Sequence, residues 1–346
     1  MKLKNIIALL LVVIVLGASA YGYSIYRKIF ADNISFSERE IFVYIPSGAT
    51  YKNVEEILNP YLSDMDKFRM TAEKKSYPHN VKSGKFLLKK GMNSNDIVNA
   101  LRQNIPVKLT FNNQETIEEF AGRIAQQIEP DSLSILQAIT DNDFLTENGF
   151  SQETGISMFI PNTYEFFWNT SASKFRERMA KEYQKFWTEE RLQKAENLNM
   201  TPQEVSTLAS IVQKETVKID ERPKVAGVYL NRLSKGMLLQ ADPTVIFAVK
   251  KHTGDFDQII KRVLFKHLEA DSPYNTYKFS GLPPGPIAMP DISSIDAVLN
   301  YEKHAYIYMC AKEDFSGFHR FAVTQAEHNR NARLFQQALN QRNIKR

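Results

Sequence analysis

A single cysteine, Cys310, occurs in the 346 residues, so no disulfide can form within the chain. It lies in the apolar run Tyr306 to Ala311, which favours a small buried hydrophobe over a reactive thiol. There is no H-E-x-x-H spacing and no cysteine pair, so His319 and His328 are not read as metal ligands and no cofactor is expected. Ser210 and Ser272 lack the G-x-S-x-G surroundings of a nucleophile elbow. The sequence has no basic run beyond its ends and a formal charge of only +5, which leaves no electrostatic footprint for nucleic acid. Hydrophobic residues make up 43% and charged residues 24%, which excludes global disorder and a polytopic membrane protein. At this length two or three units with ample core are expected.

One long hydrophobic run is present. Asn5 to Tyr26 is uncharged over twenty-two residues, and as a helix it would extend about 33 Å, enough for a bilayer core. Lys2 and Lys4 suit a cytoplasmic amino end, and Tyr21, Tyr23 and Tyr26 suit the far interface. Ala18-Ser19-Ala20 has the small-x-small form of a signal-peptide cleavage site, which is the competing reading. Length and the tyrosine cluster favour an uncleaved single-pass anchor, and on either reading the rest of the chain is exported. Ala31 to Arg39 is polar and reads as a linker.

Beyond the linker, Ile41 to Ile45 reads as a strand, Pro46-Ser47-Gly48 as a turn, and Thr50 as the cap of a helix carrying Val54, Ile57 and Leu58. Gly84 to Leu88, Lys89-Lys90-Gly91 and Asn93 to Leu101 repeat the plan. Aligning Gly48 with Gly91 pairs Thr50 with Asn93, Val54 with Ile97 and Leu58 with Leu101. Val107 to Phe111 then alternates as a strand, and Thr116 to Gln127 reads as a helix with Ile117, Phe120, Ala121 and Ile124 on one face. Ser132 to Asn148 is helical and acidic. Met158 to Phe166 interrupts it with aromatics beside a proline, a packed corner or a sugar platform, of which packing is the safer reading. Ser173 to Ala195 reads as one long amphipathic helix with Phe175, Met179, Tyr183 and Phe186 inward.

The stretch that organises the chemistry begins at Thr201. Thr201-Pro202-Gln203-Glu204 has the form of a capping box with proline at the first helical position, predicting a helix to about Thr216. Val205, Leu208, Ile211 and Val212 form its apolar stripe, and the next position on that stripe is Glu215. A glutamate thus points where a leucine belongs. Burial would raise its pKa and keep it protonated near neutrality, ready to donate a proton, whereas an exposed last turn would leave it solvated or paired to a cation. A second helix is predicted from Arg222 to Leu233, with Val225, Val228, Tyr229 and Leu233 buried and Gly236 ending it. Asp242-Pro243 reads as the cap of a third, Thr244 to Val249, and Asp220 as the cap of the second, so neither is expected to be a second working carboxylate.

This segment resembles the endolytic murein transglycosylases of the MltG (YceG-like) family. The resemblance rests on L-A-S-I-V-Q-K-E-T from Leu208 to Thr216, E-R-P-K-V-A-G-V from Glu221 to Val228, and N-R-L from Asn231 to Leu233. It continues through G-M-L-L-Q-A-D-P-T-V-I from Gly236 to Ile246, Y-N-T-Y from Tyr274 to Tyr277, and G-L-P-P-G-P-I from Gly281 to Ile287. Outside this core, Met158 to Phe166, Phe318 to Phe321 and Ala326 to Asn329 are similar to further family segments. The resemblance implies that Glu215 is the catalytic acid. Many members carry a second glutamate two residues earlier, where this chain has Gln213. Asn231, Gln240, Tyr274 and Asn275 are the expected substrate contacts, and peptidoglycan glycan strands the substrate.

The expected organisation is α+β: a cytoplasmic tail 1–4, a transmembrane anchor 5–26, a linker 27–39, a small LysM-like subdomain 40–104, and a mixed helical and strand catalytic domain 105–346. The resemblance further implies residence at the cytoplasmic (inner) membrane and peptidoglycan synthases as partners. Two other readings stay open on sequence: a non-catalytic wall-binding scaffold in which Glu215 is inert, and a lysozyme-type hydrolase that differs only in its product.

Overall fold

The computed structural model describes residues 3–342. Met1 and Lys2, half of the expected amino-terminal tail, lie outside the described residues. The chain is mixed α and β and forms two compact units. The first comprises the chain up to Leu109 with Gln127–Pro130 and Tyr164–Ser171; the second comprises Thr110–Gln126, Asp131–Thr163 and the chain from Ala172 on.

In the first unit, helix α1 (Leu3–Phe30) contains a stretch, Leu9–Arg27, long and apolar enough to cross a membrane. Strand β1 (Glu40–Ile45), helices α2 (Tyr51–Leu58) and α3 (Met65–Lys74), strand β2 (Gly84–Lys89) and helix α4 (Ser94–Ala100) follow. The strands are antiparallel, with Val43 opposite Phe86 and Ile41 opposite Leu88. The sequence repeat is thereby explained, because both strand–turn–helix segments end in the same device. Thr50 caps α2 through a capping box with Asn53, and Asn93 caps α4 through one with Asp96. Helix α3, which no sequence expectation covered, supplies Phe68 and Ala72 to the core formed with Val54, Leu58 and Ile97.

Strand β3 (Pro106–Phe111) pairs with β4 (Asn162–Phe167), and along these strands the chain passes between the units. The second unit contains α5 (Ile117–Ala125), α6 (Ser132–Ile139), α7 (Asn142–Glu147), α8 (Ala172–Phe186), α9 (Glu189–Asn197), α10 (Pro202–Glu215), α11 (Arg222–Ser234) and α12 (Asp242–Thr253). The short α13 (Phe265–Leu268), α14 (Ile292–Leu299), the antiparallel pair β5 (Tyr308–Ala311) and β6 (His319–Ala322), and α15 (Gln325–Gln341) complete it.

Two long helices expected from sequence are each broken. The acidic stretch from Ser132 divides because the Asp141 side chain accepts a hydrogen bond from the backbone N–H of Phe144 and so starts a new helix, α7. The stretch from Ser173 divides at Trp187 in the same way, where Thr188 caps α9. Periodicity of apolar residues continues through both breaks, so only the caps reveal them. Phe159 is buried, with its ring 4.6 Å from Phe120 and stacked at 6.4 Å on Phe175, so this aromatic is part of a packed core. Cys310 is half-buried on β5, and burial pushes its thiol above the ordinary value.

Candidate active site

Helix α10 begins as the sequence dictates: the Thr201 N–H donates to Glu204 Oε2 at 2.7 Å, and the Glu204 N–H donates to Thr201 Oγ1 at 3.2 Å. Every residue from Val205 to Val212 is buried. The helix is therefore surrounded, and its polar residues must find partners inside the protein. Ser206 and Thr207 donate to Pro202 and Gln203 carbonyls, and Ser210 donates to the Thr207 carbonyl. Ser210 Oγ also accepts from the backbone N–H of Ile287 at 3.0 Å, which ties the G-L-P-P-G-P-I loop to the helix and leaves this hydroxyl no role as a nucleophile. Gln213 binds the next loop, accepting from Asp291 N at 2.5 Å.

Glu215 is the last residue of α10. It is half-buried, and Oε2 accepts a hydrogen bond of 3.1 Å from the hydroxyl of Tyr229 on α11, itself 2% exposed. Burial pushes the Glu215 carboxyl above its ordinary value of 4.5; Asp242 acts in the same direction, while His319, Tyr229 and Arg232 oppose it without prevailing. The negative end of the α10 dipole adds to the upward push. Tyr229 is driven well above 10.0, first by burial and then by the neighbouring Glu215, so it remains a donor.

After Glu215 the chain leaves the helix through Thr216, whose Oγ1 donates to Glu221 Oε2 at 3.1 Å. Glu221 is 6% exposed and accepts from both the backbone N–H of His319, at 2.7 Å, and its ring Nδ1, at 2.8 Å. Burial alone would raise Glu221 and lower His319. The hydrogen bonds and opposite charge reverse both, holding Glu221 below 4.5 and His319 above 6.5. His319 thus holds its proton more tightly than a free imidazole, in the same electrostatic neighbourhood as Glu215.

Glu215 opens into a cleft of about 300 Å³ that Tyr229, Arg232, Gln240, Asp242, Tyr277 and His328 also line. Arg232 is fixed by backbone carbonyls, donating to Ile307 O at 2.6 Å and Leu239 O at 2.8 Å, so its charge stays available to the cleft. Gln240 is exposed at the rim with φ of +49°, a left-handed conformation costing a glutamine about 1–2 kcal/mol. Thr276 holds it there: its carbonyl accepts from Gln240 N at 3.0 Å, its Oγ1 accepts from Ala241 N at 3.0 Å, and its hydroxyl bonds Thr244 Oγ1 at 2.8 Å.

Of the expected substrate contacts, the structure brings Gln240 to Glu215. Asn231, Tyr274 and Asn275 do not line this cleft. The Asn231 amide donates to the carbonyls of His304 and Tyr306, at 2.8 and 2.9 Å. Gly227, one turn earlier, permits that approach, since a Cβ there would collide with Glu302 O. Asn275 is fully buried and donates to Leu268 O and Ala270 O, at 2.9 and 2.8 Å. Tyr274 packs its ring 4.8 Å from Phe247 and lines a separate cavity with Glu153 and Lys251.

Asp242 and Asp220 require correction. Ala241, not Asp242, occupies the cap of α12; Asp242 makes no capping bond and instead accepts from the Tyr277 hydroxyl at 2.6 Å inside the cleft. Proline at the first helical turn sets the backbone without help from a side chain. Asp220 is exposed in a short 3-10 turn, and Glu221 precedes α11, also without a capping bond. Sequence reasoning passed over Tyr229, read only as core, and over Glu221, Arg232 and Tyr277. Glu221 gave no signal in sequence, because a glutamate at a helix start is favoured there by the helix dipole alone.

A carboxyl whose pKa burial raises, with a tyrosine donor on it and Arg232 and His319 beside it, is the apparatus of an acid–base enzyme. The chain belongs to the YceG-like family, which it matches over residues 43–334. An endolytic murein transglycosylase of Bacillus subtilis (strain 168) is 29% identical over 334 residues, covering 91% of this chain and 89% of that protein. Another, of Streptococcus pneumoniae serotype 2 (strain D39 / NCTC 7466), is 26% identical over 349 residues and covers 90% of this chain; the chain spans only 62% of that longer relative. A yceG-like protein of Listeria monocytogenes, whose crystal structure is known at 2.6 Å, is 28% identical, with a TM-score of 0.57 over 85% of this chain and 99% of that one. The chain is thus an enzyme of the lytic transglycosylase class that its named relatives represent.

Proposed function

We propose that the protein cleaves the glycosidic bond between N-acetylmuramic acid and N-acetylglucosamine within nascent peptidoglycan strands, leaves 1,6-anhydro-muramoyl ends, and so terminates glycan elongation. The observation that carries this reading is the Glu215 carboxyl, raised by burial and hydrogen-bonded by Tyr229 in the floor of a polar cleft. Glu215 gives its proton to the glycosidic oxygen as the C1–O bond breaks. The carboxylate left behind is met by the Tyr229 hydroxyl and the charges of His319 and Arg232, which offset its burial. It then takes the proton of the same sugar's C6 hydroxyl while O6 bonds to C1, which regenerates the acid. That attack is favoured because the hydroxyl is tethered to the reacting ring.

Gln240 at the rim contacts the sugar. Asn231, Tyr274 and Asn275 act through the backbone they hold or pack against, which sets the positions of Arg232, Tyr277 and Asp242.

A second reading is favoured by one observation. Asp242 puts another carboxylate into the cleft, and a second carboxylate is what hydrolysing glycosidases use to activate water. The Tyr277 hydroxyl donates to Oδ1 of Asp242 and so orients that carboxylate. The names of the relatives support transglycosylation.

We assign α1 as a single-pass anchor in the cytoplasmic (inner) membrane with its amino end inside, and the rest of the chain as exported. The β1-α2-α3-β2 arrangement supports a LysM-like subdomain over residues 40–104, followed by a catalytic domain over 105–346. Peptidoglycan synthases, which supply nascent strands, are the partners we propose. Replacing residues 1–27 by a cleavable export signal tests the anchor: the released protein should fail to substitute for the full chain in cells, and equal complementation would refute the assignment. The activity is tested by incubating the full chain with purified murein. Soluble muropeptides should appear with the native protein and vanish with Glu215→Gln, whereas release by both would show Glu215 to be inert and favour a binding scaffold.

A further inference from the structure

The loop between α12 and Tyr274 exposes more apolar surface than folding explains. Phe265 is 89% exposed, the highest value for a large hydrophobic side chain among the described residues, with Ile259 at 81% and Leu264 at 46%. These side chains are interleaved with Lys261, Arg262 and Lys266, all exposed and in no ion pair among the described residues. The eight residues Ile259 to Lys266 contain five apolar residues, three cations and no acid. The segment is also anchored at its base. Asn275 donates to the carbonyls of Leu268 and Ala270, Lys278 Nζ donates to Glu269 O at 2.6 Å, and Phe265 opens the short helix α13.

A glycan would be met by amides and hydroxyls, and this segment offers none. Projecting apolar side chains set among unpaired cations instead match the boundary of an anionic bilayer, where acyl chains lie beneath phosphates. The same chain carries a helix able to cross a membrane. We propose that Ile259–Lys266 docks on the anionic surface of the bilayer that α1 crosses. Ile259 and Phe265 enter the acyl boundary, and Lys261, Arg262 and Lys266 meet the phosphates. Alone, so small a patch binds weakly, each cation adding roughly fivefold in affinity. Tethering by α1 supplies the effective concentration that makes the weak contact persistent. Because Asn275 clamps the segment to the loop that carries Tyr277, docking would also fix how the cleft faces the bilayer.

The contact goes beyond the proposed activity and shares with it only the reading of α1. Gln258 is exposed and adjacent to Ile259, so a Gln258→Cys probe in a Cys310→Ser background, labelled with an environment-sensitive fluorophore, reports the segment's depth. The full chain is placed in lipid nanodiscs of phosphatidylcholine with about one third phosphatidylglycerol, or of phosphatidylcholine alone. Quenching by doxyl-labelled lipid is expected in the anionic discs. It should fall at least about threefold in neutral discs, with Lys261→Gln/Arg262→Gln/Lys266→Gln, and with Ile259→Ser/Phe265→Ser. A probe quenched only by aqueous iodide in both discs overturns the proposal and leaves a protein as the partner of the patch. Equal quenching with and without phosphatidylglycerol also overturns it. The probe reads position and not turnover, so its failure leaves the role of Glu215 standing, and the reverse holds as well.

Discussion

The Tyr229 hydroxyl lies 3.1 Å from Oε2 of Glu215, bridging the last residue of α10 to the middle of α11. The bond does two opposed things. It orients the acid, and by favouring the carboxylate it restrains the upward pull of burial on the pKa. Tyr229→Phe should therefore move the high-pH limb of kcat/KM, where Glu215 loses its proton, to still higher pH. The maximal rate should also fall about tenfold from lost orientation and lost stabilisation of the carboxylate. A lower rate with an unmoved limb would make Tyr229 a packing residue only.

Glu215→Gln should abolish activity and stabilise the fold at neutral pH. A carboxyl whose folded pKa lies above its unfolded value is protonated more readily in the native state, so stability declines as pH rises between the two values. Glutamine removes that cost, about 1.4 kcal/mol for every tenfold gain in proton affinity on folding. Melting temperature should rise by a few degrees at pH 7 and not at pH 4, where the native acid is already protonated. Thermal scans at the two pH values check this; an equal effect at both would point to a change in packing.

Glu221 and His319 form a pair whose stabilising effect is confined by pH. Glu221 is held low, so its contribution is present above 4.5 and lost as pH falls through its folded value. His319 is held high, so its contribution is present below 6.5 and lost as pH rises through its folded value. The stability difference between the native chain and Glu221→Gln/His319→Asn should be greatest between these two ordinary values. Breaking only one side of so buried a pair should cost more, about 3–5 kcal/mol for His319→Asn above pH 5. Denaturant titrations across pH measure both.

Asp242 is oriented by Tyr277 rather than free. Asp242→Asn keeps the hydrogen-bond acceptor while removing a negative charge that helps keep Glu215 protonated. The high-pH limb of activity should shift down, opposite to Tyr229→Phe, with product ends unchanged. A variant that still binds murein but has lost all turnover would make Asp242 a participant in the chemistry.

The capping box at Thr201 was legible, as were Thr50 as a cap and Asn93 as its counterpart, because the signal is local: a short polar side chain just before a run of helical period. Glu215 was legible for a related reason, as a charge at a position where the helix period required an apolar residue. The breaks at Asp141 and Thr188 were hidden because apolar spacing continues across them and only the cap hydrogen bond marks the interruption. The partners of Glu215 could not be read at all. Tyr229 satisfies the apolar pattern of its helix, so its hydroxyl carries no periodic signature, and His319 reaches Glu221 across 98 residues of chain. Asp242 shows the limit most clearly, since Asp-Pro at a helix start matches a cap in sequence while the backbone places Ala241 there.

The most direct test of the chemistry is the fate of solvent oxygen. Murein is digested by the full chain in oxygen-18 water and the new muramoyl ends are weighed. Attack by the C6 hydroxyl, with Glu215 first as acid and then as base, gives 1,6-anhydro ends carrying no label and no new reducing sugar. Label at C1 of the new ends would mean that water was the nucleophile, with Asp242 as the carboxylate that activated it, and would contradict the transglycosylase mechanism proposed for Glu215.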